Sequence, residues 1–159
     1  MDILKSVSLI KADGTKKPSS EALAGKDIIL IYFSAHWCPP CRGFTPILKD
    51  FYEVGANLPK IILTNNDNTY LQEVDGVEII FVSSDQSQDA MVAYMKESHG
   101  DWWAVEYGSD PVKALKEHFG VSGIPMLVVL DKDGKLITKD GRGDVSGKGP
   151  ASVAHWKKA

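Results

Sequence analysis

Residues 28–52 constrain this chain more than any other stretch. Ile28-Ile29-Leu30-Ile31-Tyr32-Phe33 is an unbroken run of apolar and aromatic residues. A run of that length and composition reads as a strand buried on both faces, as in a largely parallel sheet. A short loop follows. Beyond it Phe44, Ile47, Leu48, Phe51 and Tyr52 recur at i, i+3, i+4, i+7 and i+8, one face of a helix. Cys38 and Cys41 stand at the join, where strand gives way to helix.

That position has chemical consequences. The first turn of a helix holds N–H groups without intrahelical partners and carries about half a positive charge. A thiolate is favoured there, so Cys38 is expected to ionise more readily than a free thiol and to act as the nucleophile. Pro39 suits an early helical position, where its missing N–H is not needed. Cys41 lies one turn further along the same face and can close a disulfide with Cys38. The expected order is therefore Cys38 as the exposed attacking thiol and Cys41 as the resolving one. A Cys-x-x-Cys can also be half of a zinc site. Zinc takes four ligands, however, and His36, His99, His118 and His155 show no paired-ligand spacing beside the two cysteines, so no metal is expected. A purely structural disulfide across so short a loop removes little unfolded-state entropy. Redox chemistry is the expectation that remains.

The rest of the chain is ordinary by comparison. At 159 residues, 43% hydrophobic and 25% charged, it reads as one domain over residues 1–159 with its own core. A net charge of -3 argues against a nucleic-acid partner. Met1-Asp2 starts no signal-peptide pattern, and no apolar run approaches membrane-spanning length, so no membrane partner is expected. Two cysteines at catalytic spacing suit a reducing compartment, the cytoplasm with the nucleus as a second. No Gly-rich nucleotide fingerprint is present; no cofactor is expected, and electrons must come from an external thiol or a reductase.

Several further elements are legible. Ser6–Lys11 reads as a strand, with Asp13-Gly14 as a turn and Lys16–Lys26 as a polar connection holding a helical turn at Ser20–Ala24. Pro46 is expected to kink the long helix. Lys60–Leu63 is a candidate strand, and Asn65-Asn66-Asp67-Asn68 a surface loop. Val77–Ser83 is a second buried strand. Asp85 with Gln88 resembles a capping box opening a helix with Met91, Tyr94 and Met95 inward. Asp110-Pro111 reads as a cap and first helical residue, with Val112, Leu115 and Phe119 as the apolar stripe and Gly120 as the stop. Ile124–Leu130 is a third strand, turned by Asp133-Gly134 into Lys135–Thr138. Gly141–Gly149, rich in glycine, reads as loop, and Ala151–Trp156 as a closing helix. Strands alternating with helices, ending in a hairpin, give an α/β architecture: a central mixed sheet with helices on both faces and an N-terminal strand extension.

The string Phe33-Ser34-Ala35-His36-Trp37-Cys38-Pro39-Pro40-Cys41-Arg42-Gly43-Phe44-Thr45-Pro46 resembles the thioredoxin superfamily, and specifically its tryparedoxin/nucleoredoxin branch. Val82-Ser83-Ser84-Asp85, Trp102-Trp103 and Gly123-Ile124-Pro125 are similar to that branch too, so the likeness runs from about Gly25 to about Val145. It departs at Tyr32, where other thioredoxins carry a buried Asp that helps deprotonate the resolving cysteine. Tryparedoxin-like proteins lack that Asp as well, which leaves open what serves Cys41. Glu106 stands where many relatives have proline, the segment from Thr64 to Gly76 is longer than its tryparedoxin equivalent, and nucleoredoxins are typically larger, multi-domain proteins.

The resemblance implies a thioredoxin fold with a cis peptide at Ile124–Pro125, packed on the cysteine turn. It implies that the Ile124 backbone pairs with a substrate strand, and that Trp37, Pro39, Pro40, Ile124 and Pro125 form the substrate-binding surface. Trp37 offers a flat apolar contact beside the nucleophile. Of Trp102 and Trp103, one is expected in the core and the other along the site. Arg42 either favours a thiolate or is a solvated helix arginine, and Arg142 lies where relatives carry an arginine near substrate. The implied function is a monomeric thiol-disulfide oxidoreductase that reduces protein disulfides, with peroxiredoxins as clients. The competing function is a nucleoredoxin-type interaction module whose partner binding is switched by redox state.

Overall fold

The two apolar runs become adjacent central strands in the computed structural model, which describes Leu4 and residues 7–57, 76–149 and 151–158. In chain order the elements are β1 (Ser8–Ile10), β2 (Lys16–Pro18), α1 (Ser19–Ala22), β3 (Ile28–Ser34), α2 (Pro39–Asn57), β4 (Val77–Ser83), α3 (Gln88–Ser98), β5 (Trp103–Val105), α4 (Asp110–His118), β6 (Met126–Asp131), β7 (Leu136–Thr138), α5 (Gly141–Lys148) and α6 (Ala151–Lys157). One sheet holds all the strands of the described residues in the order β2-β1-β5-β4-β3-β6-β7. β3 pairs parallel with β4, Ile28 opposite Val77 and Phe33 opposite Val82. On its other side it pairs antiparallel with β6, Phe33 opposite Met126. The strand expected at Lys60–Leu63 and the loop through Asn65-Asn66-Asp67-Asn68 lie outside the described residues.

Every residue of β3 and of β4 is buried. Successive side chains of a strand point to opposite faces, so the two runs supply two cores. Ile28, Leu30, Tyr32, Ile79 and Phe81 meet Phe44, Leu48 and Phe51 of α2 and Met91, Tyr94 and Met95 of α3. Ile29, Ile31, Phe33, Ile80 and Val82 meet Leu115 and Phe119 of α4 on the other side. Each large apolar side chain so buried contributes about 1.5–3 kcal/mol. Ile47, expected on the inward face of α2, is instead 43% exposed. The helix continues through Pro46.

The N-terminal extension is a hairpin. Its turn closes with Lys11 N–H on the Thr15 carbonyl at 2.9 Å and with Gly14 at φ 92°. The polar connection expected at Lys16–Lys26 is in part the edge strand β2. All three of its residues are exposed, and an edge strand with no buried face leaves no apolar signature. β1 carries the hairpin onto β5, with Leu9 opposite Val105.

Two helix caps sit elsewhere than the sequence suggests. Ser87, not Asp85, caps α3, its hydroxyl accepting from Ala90 N–H at 3.1 Å. Ser109 occupies the cap position of α4, which puts Asp110 and Pro111 inside the first turn. Gly141–Gly149 is not a loop. Residues 141–148 are helix α5, opened by Asp140, whose carboxylate accepts from Gly143 N–H at 3.3 Å. Glycine serves close approach here: a Cβ on Gly141 would lie 2.9 Å from the Leu127 carbonyl oxygen of β6. The closing helix α6 buries Trp156 against Phe51, and its indole donates to Asp144 Oδ2 at 2.8 Å. Among the described residues no helix is long and apolar enough to cross a membrane.

Candidate active site

Cys38 directly precedes Pro39, the first residue of α2, and Arg42 N–H donates to its carbonyl at 3.1 Å. Cys41 lies one turn on. Both are free thiols. Cys38 keeps 6% of its surface and Cys41 none. The order of exposure is as expected, but Cys38 is far less open than an attacking thiol was expected to be. The reason is packing: Ala35, both cysteines and the side chain of Ile124 form one small cluster. The Cys38 thiol donates to the Ile124 carbonyl at 3.7 Å, and the Ile124–Pro125 peptide is cis.

Around the thiols the rim is apolar. Pro39 and Pro40 are exposed, Ile124 is half-buried and Pro125 buried. Trp37 is 54% exposed. Its ring is not loose, because Nε1 donates to the Ser84 carbonyl at 3.0 Å. Arg42 is exposed, and its guanidinium donates to the His36 carbonyl at 3.1 Å, so it braces the loop. Arg142, reaching from α5, donates to the Pro125 carbonyl at 3.1 Å and sits 5.6 Å over the Phe44 ring. It ties the start of β6 to α2. Neither tryptophan of the pair lines the cysteines. Trp102 is buried and donates to His99 Nδ1 at 3.1 Å. Trp103 is buried in the opposite core, with the Lys11 ammonium 4.9 Å from its ring centroid.

Beneath the thiols lies a set of polar residues that sequence reasoning missed. Tyr32, in the position where an acid was considered, is wholly buried, and its hydroxyl lies 2.6 Å from Thr45 Oγ1. Thr45 donates to the Cys41 carbonyl at 2.8 Å and also meets the Tyr94 hydroxyl. Tyr94 in turn lies 2.7 Å from Ser34 Oγ. Burial pushes the Cys41 thiol up to about 11, with Cys38 adding to the rise and the Ser34 hydroxyl and Ala35 N–H opposing it. Burial likewise pushes Tyr32 well above the usual tyrosine range and raises Tyr94. His36 is half-buried; it stacks on Tyr94 at 5.0 Å and pairs with Glu97 at 3.3 Å. Asp85 accepts from His36 N–H at 2.8 Å and from Ser83 Oγ at 2.6 Å, which is why it caps no helix. Burial, with His36 nearby, pushes His99 down to about 3. Thr45 alone had a local signal, a polar residue one turn after Cys41 on a face otherwise apolar. Among the described residues no group of three or more His, Cys, Asp or Glu is placed to hold a metal.

Residues 25–136 match the family described as Thioredoxin-like. "Probable nucleoredoxin 1" of Arabidopsis thaliana is 43% identical over 131 residues, which cover 82% of this chain and 19% of that protein. The chain spans about a quarter of the length of the curated nucleoredoxins it first matches. The crystal structure of thioredoxin from Wuchereria bancrofti superposes with a TM-score of 0.78 at 48% identity, covering 98% of this chain and 96% of that one. Tryparedoxin I from Leishmania major superposes with a TM-score of 0.72 at 30% identity, covering 93% and 89%.

Proposed function

The chain belongs to the thioredoxin-like family, in its tryparedoxin/nucleoredoxin branch, and on that premise we propose that it reduces protein disulfides through a Cys38/Cys41 dithiol cycle. The observation that carries this reading is the pair of free thiols one helical turn apart, Cys38 at the start of α2 with residual exposure and Cys41 sealed beneath it.

The cycle follows from that asymmetry. Cys38 sulfur, as thiolate, attacks a substrate disulfide, and the other substrate sulfur leaves with the electron pair and takes up a proton. Cys41 then attacks Cys38 in the mixed disulfide. The Cys38–Cys41 bond forms, the bond to substrate breaks, and the second substrate sulfur leaves as a thiol. Two electrons have moved to substrate, and an external dithiol or a reductase restores the pair. Trp37, Pro39, Pro40 and Ile124 supply an apolar landing surface around the sulfur, and a substrate strand pairs with the Ile124 backbone. Peroxiredoxins are the proposed clients, by likeness to the tryparedoxins.

Insulin reduction with dithiothreitol as donor tests this reading. The protein should accelerate it, Cys38→Ser should abolish the acceleration, and Cys41→Ser should hold substrate proteins in a mixed disulfide on Cys38. Turnover no faster than dithiothreitol alone, with no trapped species, would sink the reading. Sluggish turnover with a tight complex that oxidation disrupts would favour the redox-switched interaction module.

A further inference from the structure

The carbonyls of Ile124 and Pro125 are successive along the chain yet held by different donors. That of Pro125 accepts from the Arg142 guanidinium at 3.1 Å. That of Ile124 accepts, among the described residues, only from the Cys38 thiol, at 3.7 Å. Pro125 has no N–H to offer. The approach to Ile124 is open: Ser122 and Gly123 are exposed, and a Cβ on Gly123 would meet nothing within 4 Å. A backbone group left out of the fold's own ladders is what an added strand uses. The Ile124 carbonyl is therefore wanted twice, by the incoming chain and by the proton of the nucleophile.

We propose that a substrate backbone N–H competes with the Cys38 thiol for the Ile124 carbonyl, so that docking of a protein substrate itself releases the nucleophile. The inference rests on the dithiol cycle and the strand pairing proposed above and deepens them. A carbonyl oxygen facing the sulfur stabilises S–H and repels S⁻, so before substrate arrives it favours the thiol. The oxygen has two lone pairs, but both donors draw on one partial charge, and each weakens the bond of the other. Once a substrate N–H is seated, the thiol gains less from keeping its proton. That proton passes to solvent through the 6% of Cys38 that stays exposed, and the thiolate then lies beside the chain it attacks. No electron moves at this stage, and no covalent bond changes except S–H. A small disulfide without a backbone N–H cannot work the exchange.

The charged and titratable groups around the turn are engaged elsewhere. From α2, Arg42 is held by the His36 carbonyl. From α5, Arg142 is held by the Pro125 carbonyl. In the loop before Cys38, the His36 ring faces Tyr94 and Glu97 of α3. Asp85, after β4, is held by His36 N–H and Ser83. Cys41 is the titratable neighbour packed directly on Cys38, and it acts as a donor to Cys38 rather than as an acceptor of its proton. The Ile124 oxygen is the acceptor that remains.

The test measures non-covalent binding of ribonuclease A that has been unfolded, reduced and carbamidomethylated, which offers backbone N–H groups but no disulfide. Two proteins are compared, one with Cys41→Ser alone and one with Cys38→Ala added. At about pH 5, where a thiol keeps its proton, the protein that retains Cys38 should bind about 2- to 10-fold more weakly, the worth of one hydrogen bond. The gap should close as pH rises and Cys38 ionises, and comparing the two proteins cancels titration of the ribonuclease itself. The ¹³C resonance of a labelled Ile124 carbonyl should move on binding, which a general loosening of the turn would not produce. Equal binding at every pH, an unmoved Ile124 resonance, or no binding by either protein would each overturn the inference and leave the dithiol cycle, judged by insulin reduction, standing. If wild-type protein fails to reduce insulin, the cycle falls and takes the inference with it. Should Cys38→Ala fail to fold, oxidised wild-type protein takes its place, since its disulfide has no S–H and should bind with the same advantage.

Discussion

Two glycines of α5 should respond to alanine with opposite signs. Both lie in a helix, where alanine is favoured over glycine by about 1 kcal/mol. At Gly147 a Cβ meets nothing within 4 Å, so Gly147→Ala should stabilise by about 0.5–1 kcal/mol. At Gly141 a Cβ would lie 2.9 Å from the Leu127 carbonyl oxygen, 2.9 Å from Val129 Cγ2 and 3.0 Å from Leu127 Cδ2. The oxygen belongs to β6, which pairs with β3 along its length, Leu127 opposite Tyr32, and cannot easily give way. Overpacking of this kind costs about 1–3 kcal/mol, more than the helical gain. The two variants should therefore differ by the overpacking cost, about 1–3 kcal/mol, or roughly 2–12 °C in Tm for a chain of this size. Urea unfolding with matched m-values measures the difference directly. If Gly141→Ala proves as stable as Gly147→Ala, α5 does not approach β6 as described, and the glycines of this segment have no packing role.

Other expectations follow from the buried groups. Iodoacetamide at neutral pH should alkylate Cys38 far faster than Cys41, which is sealed and whose thiol burial pushes up to about 11; equal rates, read by peptide mass spectrometry, would contradict the asymmetry of the pair. His99 is held neutral in the fold down to about pH 3 but takes a proton near the ordinary histidine value of 6.5 when unfolded. Because the unfolded chain then binds more protons, stability is full above pH 6.5 and lost as pH falls toward 3. His99→Phe should flatten that acid limb in a series of urea titrations, and an unchanged slope would show that His99 is not its source.

What could be read from the sequence depended on whether a residue's role was local. Ile28–Ser34 was legible because burial on both faces forbids polar interruptions, and the cysteine turn because its spacing and its place after that strand are both local. β2 was not legible, since Lys16–Pro18 buries nothing. α5 was misread because glycine signals a loop when its neighbours are unknown, whereas Gly141 is required by a β6 carbonyl met only in the fold. Asp85 and Gln88 have the spacing of a cap, yet Ser83 and His36 N–H outbid the helix for that carboxylate. The hydroxyl set was invisible for a related reason. Ser34, Thr45 and Tyr94 come from β3, α2 and α3, and nothing in the residues beside Tyr94 marks it as a partner of the other two.

The asymmetry between the two sulfurs also orders the steps. With its thiol pushed up by burial, Cys41 stays protonated at neutral pH. That is useful in the reduced resting state, where a second thiolate would repel the first. Part of the rise comes from Cys38 itself, through its hydrogen bond and its charge. Once Cys38 is joined to substrate its sulfur carries no charge, and both contributions vanish. Burial remains, opposed by Ser34 and by Ala35 N–H. Capture of substrate therefore removes one obstacle to the resolving thiolate without any movement of the backbone, and what is left to overcome is desolvation.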